Sequence, residues 1–430
     1  MRTKRSFAVQ DMADFKKKLL TWGSSFPDVV WLDSNLDSSE TTEFEAVLAV
    51  EAFTAIKTDH HNAFDKLKEY QQTTKDWIFG YLSYDLKNDV ERLKSSNYDG
   101  LQFPDLYFFQ PQKLVFLKDN IVEFVYLRMV DDEIETDFEE IQNLKFKTEI
   151  AEEKIEIQSR ISKEEYLEKV GAMLEHIHRG DIYEANLCQE FFSENVDLNA
   201  FSIYQSLNEI STPPFAAFLR LENINLVSAS PERYLRKKGE QLLTQPIKGT
   251  ARRSSNPEED KEIALNLARD PKEMSENVMI VDLVRNDLSR IAEKGSVKVD
   301  ELCKVYSFKQ VHQMISSVTA TIAKGIEPVE ALRTSFPMGS MTGAPKISAM
   351  KIIEKLESTK RGLYSGAVGY FSPEGDFDFN VVIRSILYNS TNKYLSFSVG
   401  GAITAKSNPE KEYEECLLKS KALREVLENL

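Results

Sequence analysis

Cysteine, histidine and surplus positive charge are all scarce in this chain of 430 residues. Cys188, Cys303 and Cys416 are odd in number, far apart and form no Cys-x-x-Cys pair, so a disulfide framework or zinc ribbon is not expected. The only histidines are His60, His61, His176, His178 and His312, and no cysteine stands in a Gly-x-Cys-x-Gly turn. A Cys/His hydrolase site therefore has poor raw material. Lys and Arg number 54 against 69 Asp and Glu, a formal charge of −15, and no basic stripe offers itself to a nucleic-acid backbone. No apolar run approaches the ~18–20 residues that span a bilayer, so no membrane helix is expected. The basic start of the chain runs into Gln10, Asp11 and Asp14 without an apolar signal core, which points to a cytoplasmic enzyme.

What is present is an ordinary globular composition, 42% apolar and 29% charged, in a chain longer than the ~250–300 residues at which single cores usually stop growing. Residues 1–130 alternate short apolar runs with turn chemistry: Val29 to Leu32, Phe44 to Phe53, Trp77 to Tyr84, and Tyr107 to Tyr126 broken near Asp119-Asn120. Residues 131–160 are acidic and poorly periodic as far as Glu153, the signature of an exposed connection, and residues 161–430 follow as a second region.

In that second region Ser162 and Glu165 form a capping box before Tyr166, Val170, Leu174 and Ile177 at helical spacing, with Gly180 as the stop. Further helices are expected over Glu273 to Asn286 and Pro345 to Leu356, the proline suiting a first-turn position. Strands are expected over Phe215 to Ser228, Tyr234 to Thr244, Tyr364 to Phe371, Phe377 to Leu387 and Tyr394 to Val399, with turns at Gly239 and Pro373-Glu374-Gly375. Successive strands on short turns imply antiparallel pairing with helices outside, an α+β class.

Three features could carry chemistry. Glu273 and Glu276 lie three apart on one helical face, and Glu412 and Glu415 repeat that spacing near the C-terminus. Two such pairs suit Mg²⁺, a hard cation that takes oxygen ligands, although the spacing alone equally describes a solvated acidic face. Lys248, in Gln-Pro-Ile-Lys-Gly-Thr, is either a surface lysine or a partly desolvated nucleophile. The segment 336–346, Phe-Pro-Met-Gly-Ser-Met-Thr-Gly-Ala-Pro-Lys, places small residues and hydroxyls before a helix N-terminus, where a carboxylate could dock.

Together these segments resemble the chorismate-utilising family of anthranilate synthase component I, aminodeoxychorismate synthase component I, isochorismate synthases and salicylate synthases. The resemblance runs from about Ser162 to Val426 through Gly180 to Leu187, Ser230-Pro231-Glu232-Arg233, Pro246 to Thr250, Glu276 to Asp287, Gly339 to Lys346, Gly366 to Tyr370 and Glu412 to Glu415. Residues 1–130 more loosely resemble the N-terminal region of the aminating members. The implied fold is a sandwich of large, mainly antiparallel sheets with helices packed outside. The implied site has Glu276 and Glu415 holding Mg²⁺ against the ring carboxylate of chorismate, with Glu273 and Glu412 supporting them. Arg384 and Tyr364 would grip the enolpyruvyl carboxylate, and Thr250, Ser340, Thr342, Gly343, Gly400, Gly401 and Lys419 would line the substrate pocket. Glu232 would be the general acid.

Within the family, water-adding members place a lysine base where this chain has Glu184, so an amine donor is favoured. Pro-Ile-Lys-Gly-Thr follows the aminodeoxychorismate synthase pattern, in which the lysine attacks ring carbon 2, whereas anthranilate synthases usually carry Ala at Lys248. The resemblance thus implies 4-amination of chorismate for 4-aminobenzoate and folate synthesis, with ammonia from a separate glutamine amidotransferase subunit. Anthranilate synthesis is the alternative, and a non-catalytic chorismate- or tryptophan-binding subunit a third reading, since Trp31, Asp33 and Ser34 lie where relatives can bind tryptophan. Three departures stand out: Glu184 for a common Gln, Gln313 for a frequent His, and Ala402 for a frequent Gly.

Overall fold

The computed structural model describes residues 1–35, 42–146, 155–309 and 311–428. Its twenty strands join into one connected network. The long strands Ala46–Thr58 and Leu106–Lys118 pair antiparallel along their length and act as its spine. From Ala46–Thr58 one row continues through Val29–Asp33, Phe215–Leu221, Ile224–Ser230, Ser385–Asn389, Tyr394–Thr404 and Glu184–Glu194. From Leu106–Lys118 a second row runs through Ile78–Leu82, Ala367–Phe371, Phe377–Val381, Arg233–Lys238, Gln241–Gln245 and Val311–Thr321. Val311–Thr321 also pairs with Ile247–Arg252 and Lys298–Ser307.

Period-two alternation divides each strand of the first row between two cores. Val30, Val47 and Ala49 join a cluster that takes in Phe79, Leu235, Val368 and Phe379 of the second row, so this core lies between the rows. Val29, Trp31 and Leu48 point the other way, onto Phe15, Tyr166, Phe201 and Leu423 of the covering helices. Because both faces are covered, a strand such as Ile78–Leu82 is buried at every residue and shows no polar alternation. The class is α+β, a large antiparallel sandwich with helices outside, as expected. No helix among the described residues is long and apolar enough to cross a membrane.

The expected helix runs over Lys163–Arg179, with the Glu165 N–H donating to Ser162 Oγ at 3.1 Å and Gly180 closing it at φ 88°. Elsewhere boundaries differ for local reasons. Phe215 to Ser228 is two strands around a turn at Glu222-Asn223, where Glu222 takes φ 54° without a glycine or proline to signal it. Phe377 to Leu387 is interrupted before Ser385, and Arg384 sits at φ 51° in the break. Pro345 caps the Lys346–Leu356 helix and does not lie inside its first turn.

The acidic stretch contains a helix, Ile134–Asn143, which buries Ile134, Asp137 and Ile141, so its first part is packed and not an exposed connection; residues 147–154 of that stretch lie outside the described residues. Nor do the regions on either side keep separate cores. Val29–Asp33 pairs with Phe215–Leu221, and Ile78–Leu82 with Ala367–Phe371.

Candidate active site

Two helices aim their N-termini at the same place. Pro271–Ser289 starts on an Asp270 cap whose carboxylate accepts from the Lys272 and Glu273 N–H groups at 2.8 and 3.2 Å. Pro409–Glu428 starts on Asn408, which accepts from the Lys411 N–H at 3.2 Å. Both helices carry their glutamate pairs in the first two turns, where unpaired N–H groups favour negative charge. Lys272 Nζ lies 3.8 Å from Glu276 and 4.0 Å from Glu412, bridging the helices, while Lys419 holds Glu415 at 2.8 Å and donates to the Gly400 carbonyl at 2.9 Å. A Cβ on Gly401 would come within 3.4 Å of Glu412 and 3.9 Å of Glu415.

Burial pushes the Glu273 and Glu412 carboxyls up, and Glu276 to about 7, whereas Lys419 offsets burial at Glu415 and holds it low. One Glu276 oxygen, Oε1, is buried without a hydrogen-bond partner. Among the described residues no three His, Cys, Asp or Glu side chains are grouped closely enough to hold a metal ion as they stand. Four carboxylates, one with an open oxygen, with a lysine ammonium bridging their helices are nevertheless a donor set that fits a hard divalent cation.

Lys248 reaches this cluster from a β-bulge. Ile247 pairs with Ile315 and Thr250 with Gln313, and the register slips across the intervening Lys248-Gly249, where Gly249 takes φ 82°. A Cβ at Gly249 would lie 3.1 Å from Glu273 Oε2 and, at that φ, would be strained, so glycine lets the backbone pass close to the glutamate helix. Such bulges re-aim a side chain beside a site. Lys248 is half-buried, and its charge acts on Glu184, Glu232, Glu273, Glu276 and Glu415. Among the described residues it makes no hydrogen bond and no ion pair. Thr250, two residues on, is exposed.

Glu232 is 5% exposed and burial raises its carboxyl to about 7, against the pull of a Ser340 hydrogen bond and the charges of Lys248 and Arg384. Arg233 does not neutralise it. That guanidinium is committed to Asp378 at 3.0 and 3.1 Å and to Gln245 at 2.6 Å. Arg384, raised out of the strand by its positive φ, is near enough to feel Glu232 and forms no ion pair among the described residues.

The 339–343 turn closes the site. Gly343 permits contact with Glu184-Ala185, since a Cβ there would fall 2.2 Å from the Glu184 carbonyl. The Asn186 N–H donates to the Thr342 carbonyl at 2.8 Å and its side-chain amide to the Ser340 carbonyl. Thr342, fully buried, turns its hydroxyl back to the Met338 and Gly339 carbonyls and donates its N–H to the Gly339 carbonyl at 3.1 Å, so its polar groups are spent inside the turn. Behind, the buried Arg361 binds the Met341 and Asn186 carbonyls at 2.6 and 3.0 Å and pairs with Glu357 at 2.7 Å. Nothing in the sequence around Arg361 marks this clamp. Tyr364 belongs to its surroundings, 4% exposed with its hydroxyl 3.6 Å from Cys188 Sγ, and does not share the charged neighbourhood of Arg384.

The family described as chorismate binding enzyme matches residues 27–425. The anthranilate synthase component 1 of Thermus thermophilus is 37% identical over 360 residues, covering 82% of this chain and 77% of that protein. The chain belongs to the chorismate binding enzyme family. Aminodeoxychorismate synthase component 1 of Escherichia coli is 41% identical over 271 residues, 63% of this chain and 59% of that protein. The chloroplastic aminodeoxychorismate synthase of Arabidopsis thaliana is 44% identical over 264 residues, and the match spans only 28% of its length. Anthranilate synthase component I from Streptococcus pneumoniae superposes with a TM-score of 0.78 at 26% identity, covering 90% of this chain and 93% of that one. The menaquinone-specific isochorismate synthase of Escherichia coli reaches the same TM-score at 17% identity, over 99% and 94%, a likeness of fold.

Of the three residues considered for a tryptophan pocket, Asp33 pairs with Lys16 at 2.6 Å and Ser34 donates to the Glu45 carbonyl at 2.9 Å, whereas Trp31 is fully buried and its indole N–H has no hydrogen-bond partner. Two of the departures from the family pattern, by contrast, fall at the site. Glu184 Oε2 and Gln313 Nε2 are buried without hydrogen-bond partners, as is Glu276 Oε1. Glu184 and Glu276 both feel Lys248, and Gln313 pairs with Thr250 at the end of its bulge; open polar atoms so placed are what a site for a polar ligand leaves behind.

Proposed function

We propose that this chain is the chorismate-aminating component of an aminodeoxychorismate synthase, converting chorismate and ammonia to 4-amino-4-deoxychorismate for 4-aminobenzoate and folate synthesis. A separate glutamine amidotransferase would release the ammonia, since this chain offers no credible thiol nucleophile of its own. The observation that carries the reading is Lys248, set on a bulge with no hydrogen bond or ion pair among the described residues and within reach of the charge of a buried acid.

In the proposed reaction the Lys248 amine adds to ring carbon 2, both ring double bonds shift by one position, and the carbon 4 hydroxyl leaves as water with a proton from Glu232. Ammonia then adds at carbon 4, both double bonds shift back, and the lysine amine is expelled, the proton lost by the ammonia returning to Glu232. A carboxyl held near 7 is protonated often enough at neutral pH to serve as that acid. Glu276 and Glu415, supported by Glu273 and Glu412, would hold Mg²⁺, which when bound neutralises and orients the ring carboxylate. Arg384 would take the enolpyruvyl carboxylate, the turn from Ser340 to Gly343 would border the ring, and Gly400, Gly401 and Lys419 would flank the glutamates.

A second reading, 2-amination to anthranilate, is favoured by the Thermus relative, whose match covers more of this chain than the aminodeoxychorismate synthases do. Purified chain incubated with chorismate, Mg²⁺ and ammonium decides between them by NMR of the product. A 4-amino product supports the proposal, a 2-amino product selects the alternative, and no amination leaves a binding subunit.

A further inference from the structure

Asp287 and Lys346 are buried charges for which the proposed reaction has no use. Each stands at the wrong end of its own helix. Asp287 lies in the last turn of Pro271–Ser289, where unpaired carbonyls disfavour an anion, and Lys346 opens Lys346–Leu356, where unpaired N–H groups disfavour a cation. They answer one another at 2.6 Å, and the ammonium also donates at 3.1 Å to the carbonyl of Ser335, the last residue of the helix Pro328–Ser335. Loss of hydration weighs on both partners, raising the Asp287 carboxyl and lowering the Lys346 ammonium, so the pair by itself adds little stability.

What the pair adjoins is the acid. Glu232 and Asp287 line one cavity of about 20 Å³, together with the hydroxyl-bearing Thr244, Ser335 and Ser340. A buried water needs about 10–15 Å³ and two to four polar partners, and this cavity offers both. The charges around it are accounted for. Lys248 and Arg384 draw Glu232 towards ionisation, the opposite of what an acid requires, and Arg233 is held by Asp378 and Gln245. Besides each other, Asp287 and Lys346 feel Arg290, and Lys346 also feels Glu91.

We propose that one water in this cavity bridges the Glu232 and Asp287 carboxyl groups, which makes Asp287 a positioning residue for the general acid. The water gives its hydrogens to Asp287 and to a hydroxyl oxygen of the wall, so it turns a lone pair to Glu232 and accepts the hydrogen bond of the protonated carboxyl. A bond made only to the neutral form keeps the proton on Glu232 until the carbon 4 hydroxyl takes it. No proton crosses the bridge: the acid gives one to the leaving hydroxyl and the incoming ammonia returns it. The inference rests on Glu232 as the acid of the proposed reaction, and it holds for amination at either ring carbon.

The test is the pH dependence of kcat for the full chain with Mg²⁺ and saturating chorismate and ammonium. Val284 also lines the cavity, and Val284→Ile takes up its space by one methyl group without altering a charge. With no water to accept its hydrogen bond, Glu232 ionises earlier. The limb on which the rate falls as pH rises should move from about 7 down by about one pH unit, lowering the rate at pH 7.5 about eightfold, while KM for chorismate stays within about twofold. Asp287→Asn/Lys346→Met removes the pair without stranding a charge, and the water, no longer oriented, should let the limb fall as well. This variant carries the test if Val284→Ile fails to fold. A limb unmoved or raised in both, including an equal loss of rate at every pH, overturns the bridge and leaves Glu232 as the acid. A limb that falls only in the charge variant also overturns it, because Asp287 then acts through its field and not through a water. A limb that survives in Glu232→Gln removes Glu232 as the acid, and the bridge with it.

Discussion

Two lysines in this chain, Lys113 and Lys248, face clusters of carboxylates, and the clusters have opposite logic. Lys113 is saturated. Its ammonium lies 2.5 Å from Glu133, 2.8 Å from Asp137 and 3.6 Å from Glu51, with the rings of Trp22, Phe26 and Tyr126 all within 5.7 Å. This pairing ties the Ile134–Asn143 helix to the spine strand Leu106–Lys118. Lys248 feels five carboxylates and among the described residues closes on none, while two of them, Glu184 and Glu276, each keep a buried oxygen without a hydrogen-bond partner. A charge placed for stability is paired on every side, whereas a charge placed for chemistry is left unsatisfied at a cost met by the surrounding fold.

The largest effect should come from Lys248→Ala, which removes the open lysine and lowers 4-amino product formation on the order of a thousandfold. With carbon 2 left free, the residual product should shift towards 2-amino or 2-hydroxy adducts. Folding should not change, because no partner is lost. Undiminished 4-amination, with no covalent adduct on the parent enzyme by intact-protein mass spectrometry under turnover, would demote Lys248 to an electrostatic residue.

Glu232→Gln should cost about a hundredfold or more in kcat, the range for loss of a positioned acid, with circular dichroism unchanged. The parent's rate should also fall as pH rises through about 7, where Glu232 gives up its proton, and this limb should disappear in the variant.

Lys113→Met sharpens the contrast from the other side. It leaves Asp137 and Glu133 uncompensated and should lower stability by about 3 kcal/mol in urea denaturation. Product formation by the folded fraction should stay within about twofold of the parent. A catalytic loss larger than the loss of folded protein would erase the distinction between the clusters.

The smallest effect is on the pH dependence of stability. Glu232 and Glu276 ionise near pH 7 in the fold against an ordinary value of 4.5, so the folded chain binds their protons first as pH falls. The stability they contribute is complete below about pH 4.5 and is lost as pH rises through 7. In EDTA the midpoint of thermal unfolding, compared with Glu232→Gln/Glu276→Gln, should therefore improve from pH 8 to pH 5. Added Mg²⁺ should flatten the Glu276 share, because a bound cation favours the ionised form. A profile identical in parent and double variant would mean that neither carboxyl is perturbed.

Much of the local structure was legible because its causes are local. Ser162, Glu165 and Gly180 state the ends of a helix by capping chemistry, and Asp119-Asn120 states the hairpin between Leu106–Lys118 and Ile121–Leu127. The turn at Glu222 and the break at Arg384 were not legible, because both use positive φ at residues that do not ordinarily signal it, held there by the strands on either side. The Ile134–Asn143 helix was hidden by acidic composition, since only Lys113, far off in sequence, explains why Asp137 can be buried. At the site, Glu232, Lys248 and the two glutamate pairs came from resemblance, the spacing alone being equally that of a wet helix face.

By itself the sequence determined the α+β class, the antiparallel pairing and the identity of the groups able to do chemistry, because alternation, turns, caps and residue type act over a few neighbouring residues. Only the tertiary structure decided which charges are spent and which are left open. Lys113 and Lys248 are the same residue type, and each has several carboxylates in its neighbourhood. What separates them is whether carboxylates from distant segments arrive within about 4 Å, close enough for attraction to outweigh lost hydration. That distance is set by the packing of the whole sandwich.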